Sequence, residues 1–515
     1  MNSEPRYIIA VDIGTTSIRA CNYDQKCQLQ FFTQRPISII YTSSEKNRLL
    51  SEIDPDRLWS DFKHLVNEAI RKLPDPSQLA GLALCCQRNT FISYDAETLR
   101  PCHRLICWKD ERAAGNCKMW NRSKLIKLIN LMGKIGYFFT RSERFKAARV
   151  FKFVNAMVTH RFLATLETND HMKELLANNQ LRLGTMDTWL QLQMSNGRSC
   201  ATDASSASST GLFDPFTLDW GHAILKLVRF PVEVLPEVKP TAGVEWGMID
   251  KSIFGFEIPL LCSIADSQAA VYGTNCLSNS MVKISLGTGA FVNVVTDEPH
   301  SGFSGIYPLV GWSLPNDTTF VVEARANDTA TCINWAQSVG LFADLKETSN
   351  FDDTPPQSSL CFIPAFNGIQ TPYEDNESCA AFMAIRPSTT KGQMLRALFE
   401  SIVFTIKQIW DQLEAQKLAP KHPTIRLCGG VSKNDFICQN IANAIGKRVE
   451  RVLEPEFSSA KGAALLAGLT AGMWHTENMN ELVKIDQCFD PIPDRQLNLR
   501  YKTWLKAVQR CLQFY

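Results

Sequence analysis

Residues 7–20 read YIIAVDIGTTSIRA. Residues 7–11 are apolar and β-forming and read as a short buried strand, with Ser17–Tyr23 as its hairpin partner. Between and beside them stand Asp12, Gly14, the hydroxyls of Thr15, Thr16 and Ser17, and Arg19. A tight turn at the end of a strand lines up backbone N–H groups in a concavity that attracts anions. Gly14 is expected to supply the backbone freedom for such a turn. The hydroxyls add donors and Arg19 adds a positive charge. A carboxylate there would repel a phosphate unless a cation stood between them, so Asp12 reads as an indirect Mg²⁺ ligand. The stretch is therefore expected to be a phosphate-and-magnesium turn. The plainer alternative is a hairpin whose aspartate and glycine only form the turn. It is not a P-loop, because GxxxxGK is absent, and it is not the GxGxxG of a dinucleotide fold.

The same grammar returns further on. MVKISLGTGAFVNVV, residues 281–295, is strand, turn, strand, with Thr288 and Gly289 in the turn. Residues 424–446 read as a strand, the pair Gly429-Gly430, then a helix that Ser432 is placed to cap, with Asn434 in its first turn. Two glycines let a flat group such as adenine or its ribose lie against the backbone. Helices are expected at 55–73, with Leu58, Phe62, Leu65, Val66, Ile70 and Leu73 on one face, and at 390–416, with Leu395 to Leu413 on one stripe. Residues 79–86, LAGLALCC, read as a buried strand, and 458–472 as a helix of small residues able to pack closely on a neighbour. The repeated modules indicate two related α/β halves. Their join is expected within 272–280, with residues 1–273 on one side and 274–515 on the other.

Asp266 follows an apolar strand and opens a small-residue helix, where it is either an N-cap or a general base. The helix N-terminus favours its charged form, and phosphoryl transfer depends more on positioning and electrostatics than on a strong base. Arg88 follows the strand 79–86. Trp108, Asp110 and Arg112 sit in WKDER; these residues either line a polar substrate site or are ordinary loop charges. Residues 121–161 hold ten Lys/Arg and one acid, Glu143. They read as an amphipathic helix pair on the outside of the first half, the alternative being a membrane-surface or partner-binding patch.

Bulk properties narrow the classes. The chain has 515 residues, enough for two to four domains, and its 54 basic and 52 acidic residues leave a formal charge of +2. That balance argues against a dedicated nucleic-acid binder. The 17 cysteines are scattered without paired CxxC spacing, so reduced thiols are expected rather than a disulfide framework or a zinc site. No apolar run reaches the length of a spanning helix and no leader is evident, so no integral membrane segment and a cytoplasmic location are expected.

In this order the pieces resemble the FGGY carbohydrate kinase family, and within it the glycerol kinases, in particular their divergent animal branch. DIGTTSIRA, GTMDTWL (184–190), LFDPFTLDW (212–220), PAFNGIQTPY (364–373), LRALFES (395–401) and KGAALLAGLTAGMW (461–474) carry the resemblance across nearly the whole chain. It implies an α/β fold of two actin-like, ribonuclease-H-like domains flanking a deep cleft, the first on the substrate side and the second on the nucleotide side. It implies ATP, Mg²⁺ and glycerol as ligands, glycerol 3-phosphate as product, and dimers or tetramers. Thr15, Thr16, Ser17 and Arg19 would then contact phosphates, as would Thr288 and Gly289. Gly430 and Asn434 would meet the adenosine, with Ala330 beside the nucleotide. Arg88, Asn89, Trp108, Asp266 and Ser267 would meet the substrate. Asp266 would take the proton, and with Asp12 would face Mg²⁺. The sequence departs from the family where QRET becomes QRNT at Asn89 and DQQ becomes DSQ at Ser267. The pocket tyrosine falls near Ala156, and Ala330 and Asn334 replace a glycine and a glutamine. A kinase of a pentulose, heptulose or other sugar, and a nucleotide-binding protein without transfer, are the alternatives.

Overall fold

The computed structural model describes residues 6–44, 48–348, 351 and 354–515. The chain gathers into two compact units. The first is the chain up to Gly273 with Leu309–Phe320 and Ser459–Leu482; the second is Thr274–Pro308, Val321–Ser458 and Val483–Tyr515. The two returning segments had no signal in the sequence pattern, because a return is decided by packing and not by local periodicity.

The first unit is organised by a six-stranded sheet in the order Met248–Ile249, Ile258–Ala265, Leu79–Cys86, Tyr7–Ile13, Ser17–Tyr23, Leu29–Pro36. Tyr7–Ile13 pairs antiparallel with Ser17–Tyr23 and parallel with Leu79–Cys86, which in turn pairs parallel with Ile258–Ala265. The register sets Asp12 beside Cys85 and Cys85 beside Ile264. Three parallel strands thus end side by side. The helix Pro55–Arg71 packs on the hairpin. Asp54 caps it, its Oδ1 accepting from the N–H groups of Asp56 and Arg57 at 3.0 and 3.1 Å. Leu58, Phe62, Leu65, Val66 and Ile70 are buried under it, each contributing about 1.5–3 kcal/mol as an upper estimate. The helix ends two residues before the expected 73, but Leu73 still reaches the same core. A five-stranded sheet runs Ile39–Ser43, Leu49–Ile53, Leu105–Ile106, Phe91–Asp95, Leu181–Thr185.

The helix Ser458–Thr470 confirms close packing by small residues. A Cβ on Gly462 would lie 1.8 Å from the Ala269 carbonyl oxygen, so only glycine lets this helix approach the helix Asp266–Gly273. Both helices belong to the first unit, apart from Ser458.

The second unit repeats the plan. Its part of a seven-stranded sheet runs Asp317–Ala326 (from Val321 onward), Ala290–Thr296, Met281–Leu286, Thr424–Cys428, Val449–Val452, Ile485–Phe489. Met281–Leu286 pairs antiparallel with Ala290–Thr296 and parallel with Thr424–Cys428. The helix Lys391–Ala415 buries the predicted stripe and starts with a capping box between Thr390 and Gln393. Lys283 and Glu323, both fully buried, are joined through Asn293, whose side chain lies 2.8 Å from one and 3.0 Å from the other. Such charges persist in a core only when hydrogen-bonded.

Candidate active site

In the first unit the three parallel strands Tyr7–Ile13, Leu79–Cys86 and Ile258–Ala265 deliver their C-terminal ends together, a place where open α/β sheets hold ligands. The Gln87 N–H donates to the Ile13 carbonyl at 2.7 Å, joining two of those ends. Asp12 lies on the first strand, directly opposite Arg19 on the hairpin partner. Burial pushes its carboxyl from 3.8 up to about 6; Arg19 pulls it down and the charge of Asp266 pushes it up. The Cys85 thiol donates to Asp12 Oδ1 at 3.6 Å. Asp266 opens its helix half-buried, its Oδ1 accepting from the Ser267 N–H at 2.7 Å, while Ser267 is buried. Ser459 Oγ donates to the Asp266 carbonyl at 3.1 Å and pins the start of that helix.

The opening hairpin turns through Gly14, whose N–H donates to the Ser17 carbonyl at 3.0 Å. Thr16 is exposed, and Thr15, Ser17 and Arg19 are half-buried. Gly14 does not sit in the left-handed region, contrary to the expectation that the turn needs a glycine for its backbone. A Cβ there would meet only the Ser17 oxygen at 3.6 Å, an ordinary contact. What the glycine leaves is room beside the N–H groups.

Arg161 is the organising residue that sequence reasoning missed. It belongs to the stretch 121–161, which reads as an amphipathic helix pair on the outside of the first half, yet it is fully buried. Its guanidinium donates to the carbonyls of Asn89 at 2.6 Å, Ala156 at 2.7 Å and Cys107, and its Nε to Met157 at 3.2 Å. Burial pulls its pKa down to about 10, which leaves it charged near neutrality. One cation thus gathers the turn of Arg88 and Asn89, the turn carrying Trp108 and the segment around Ala156. Asn89 sits at φ 63°, a left-handed conformation that asparagine tolerates better than most residues. The Oδ1 atoms of Asn89 and of Asn155 are buried without a hydrogen-bond partner. Asn155 Nδ2 donates to the Asp110 carbonyl at 2.7 Å, and Trp108 Nε1 donates to Thr15 Oγ1 at 3.2 Å. That bond ties the Trp108 turn to the opening hairpin. Arg88 is half-buried. Asp110 and Arg112 serve the framework: Asp110 accepts from the Ser51 N–H at 2.8 Å, and Arg112 bridges it to Glu52.

In the second unit the turn 287–289 is fastened to the helix Ala330–Ser338. The Thr329 N–H donates to the Thr288 carbonyl at 3.0 Å and the Ala330 N–H to that of Gly287 at 3.1 Å. Thr288 and Ala330 are half-buried and Asn334 is exposed. Gly289 is required by packing, because a Cβ would fall 2.5 Å from the Ala326 oxygen; at Gly287 and Gly430 no such obstruction exists. Ser432 does not cap the helix Asp435–Ile445. It lies in the preceding 3-10 turn, and Asn434 is the cap, with Oδ1 accepting from the Ile437 N–H at 3.0 Å and Nδ2 donating to the Thr348 carbonyl at 2.9 Å. Among the described residues no group of three or more His, Cys, Asp or Glu side chains could hold a metal.

The strand order and these strand-end turns occur in both halves of the chain, which belongs to the FGGY family of carbohydrate kinases: the family's N-terminal domain matches residues 7–140 and 156–273 and its C-terminal domain residues 282–471. Residues 141–155 stand outside that match. The chain is 36% identical over 520 residues to glycerol kinase 5 of Danio rerio, covering 99% of this chain and 97% of that protein. It is 34% identical over 520 residues to glycerol kinase 5 of Homo sapiens, with 99% and 97% covered. It is 28% identical over 511 residues to a glycerol kinase of Natranaerobius thermophilus, with 98% of each covered. In fold it is similar to Plasmodium falciparum glycerol kinase solved with ADP, at a TM-score of 0.85 and 23% identity over 98% of both chains.

Proposed function

We propose that this protein transfers the γ-phosphoryl group of ATP to glycerol, giving sn-glycerol 3-phosphate. The observation that carries the reading is the pairing of Asp12 and Asp266 at the common end of three parallel strands, next to turns whose buried oxygens have no partner. Asp266 accepts the proton of the attacking primary hydroxyl. Asn89 Oδ1 and Asn155 Oδ1 accept from glycerol hydroxyls, Arg88 and Ser267 donate, and Trp108 presents an apolar wall. Thr15, Thr16, Ser17 and Arg19 contact phosphates, as do Thr288 and Gly289, and Ala330, Gly430 and Asn434 border the nucleoside. Because the Asn434 amide is already engaged, it positions the Gly430 turn and leaves its remaining lone pair for the ligand.

The residues also fit Mg²⁺. Two carboxylates that raise each other's cost of ionisation gain from a divalent cation, and Mg²⁺ usually takes one or two carboxylates plus substrate phosphates. Asp12 and Asp266 would hold it, and when bound it offsets the charge of the phosphate oxygens.

ADP release measured over glycerol, pentuloses, a heptulose and water alone tests the reading. Glycerol-dependent release is expected, and Asp266→Asn should lower it by about 10³-fold or more while nucleotide still binds. Glycerol performing no better than water beside an active sugar would overturn the substrate. Unchanged turnover in the variant would remove Asp266 from the reaction. Asn89 favours a second reading, another polyol. An amide accepts more weakly than a carboxylate, by about 1 kcal/mol or more, so glycerol affinity falls roughly five- to thirtyfold against a glutamate.

A further inference from the structure

The helix Lys124–Thr140, with the short helix Glu143–Ala148 packed on it, takes no part in that chemistry. Its sequence KLIKLINLMGKIGYFFT contains no acid. Leu128, Leu131, Met132, Ile135, Phe138 and Phe139 are each at least 50% exposed, Phe139 by 77%. Spaced three and four apart, they form one stripe along the helix. The opposite face is fixed to the protein: Ile126 and Gly133 are buried, and a Cβ on Gly133 would lie 2.4 Å from the Arg149 backbone nitrogen. The helix therefore cannot roll its apolar stripe inward without losing that seat. Lys127 and Lys134 are exposed along one flank of the stripe and Arg141 at its end. From residue 113 to residue 142 no acidic side chain occurs, and Glu143, the first, pairs with Lys146 at 3.2 Å.

An exposed row of large aliphatic and aromatic side chains marks an interaction surface. Its flanking charge selects the partner. Cations without acids beside an apolar stripe complement anionic headgroups above an acyl layer, the pattern of helices that lie in a membrane interface. A second copy of the chain would bring two cationic flanks together and is disfavoured by that repulsion. No helix among the described residues is long and apolar enough to cross a membrane, so this one lies on the surface. The helix itself lies within the family match, and the segment 141–155 that follows it stands outside it.

We propose that the helix Lys124–Thr140 docks this protein on an anionic lipid surface, its stripe entering the acyl boundary while Lys127, Lys134 and Arg141 meet the headgroups. The full chain is sedimented with vesicles of phosphatidylcholine alone or mixed with phosphatidylserine. Binding to the mixed vesicles only is expected, weakening as salt is raised. Phe138→Ser with Phe139→Ser, and separately Lys127→Glu with Lys134→Glu, should each lower the bound fraction about tenfold with an unchanged unfolding transition. If the phenylalanine pair does not fold, Phe139→Ser alone, with the lysine pair, gives the same test. Equal sedimentation with both vesicle types, or binding unaffected by the substitutions, overturns the proposal. So does a dimer, seen by sedimentation velocity, that the phenylalanine variant dissociates without any vesicle binding. None of these readouts depends on kinase activity.

Discussion

Arg161 spends its guanidinium on backbone carbonyls, those of Asn89, Ala156, Cys107 and Met157. Replacing it by Met leaves those buried oxygens without donors and costs about 3–5 kcal/mol. The turns it gathers would loosen, so KM for glycerol should rise about tenfold or more, with Arg161→Lys recovering part of it. Equal KM in the three proteins would reduce Arg161 to a packing role. Asp12 makes a pH prediction. Its folded carboxyl holds a proton up to about 6 against an ordinary 3.8. Its contribution to stability is therefore fully present below about pH 4 and lost as pH rises through about 6, on the order of 3 kcal/mol in all. The stability difference between wild type and Asp12→Asn, followed by denaturant unfolding without ligands, should change over that window; a flat difference sinks the idea. Asp12 stands out in the sequence because a carboxylate amid donors is chemically conspicuous. Arg161 was not, because burial cannot be read from a residue inside a run of cations.

Among the elements, the turns divide by what their glycines are for. Gly289→Ala should destabilise the second unit by about 1–3 kcal/mol, because its methyl meets the Ala326 carbonyl. Gly14→Ala has space for its methyl, so stability should hold within about 1 kcal/mol while KM for ATP rises severalfold. An unaltered KM would mean that no phosphate lies against that turn. Thr390→Ala removes the capping box of the helix Lys391–Ala415 and should cost about 1 kcal/mol, measured by thermal unfolding. That helix was legible nearly to its ends, since a long apolar stripe and a Thr-x-x-Gln start are local signals. The sequence points to Ser432 as the cap of the helix Asp435–Ile445, whereas Asn434 caps it, because serine and asparagine both cap. Only the backbone path shows that a 3-10 turn intervenes before Asn434.

For the molecule as a whole, two units of the same plan predict separable responses. Glycerol should raise the calorimetric transition of the first unit, by about 2.7 kcal/mol at a hundredfold excess over its dissociation constant, and leave that of the second in place. Glycerol acting on the second unit alone would contradict the assignment of sides. The sequence by itself determined the strand–turn–strand modules, the long helices and the α/β class, since periodicity and turn chemistry act over a few neighbouring residues. Tertiary structure alone decided that Arg161 is interior, that Asn89 and Asn155 keep bare oxygens, that Gly462 lets its helix approach the helix of Asp266, and that an apolar stripe near 128–139 faces outward. Those outcomes turn on pairs such as Arg161 and Asn89, 72 positions apart, whose meeting is an outcome of packing that no local pattern encodes.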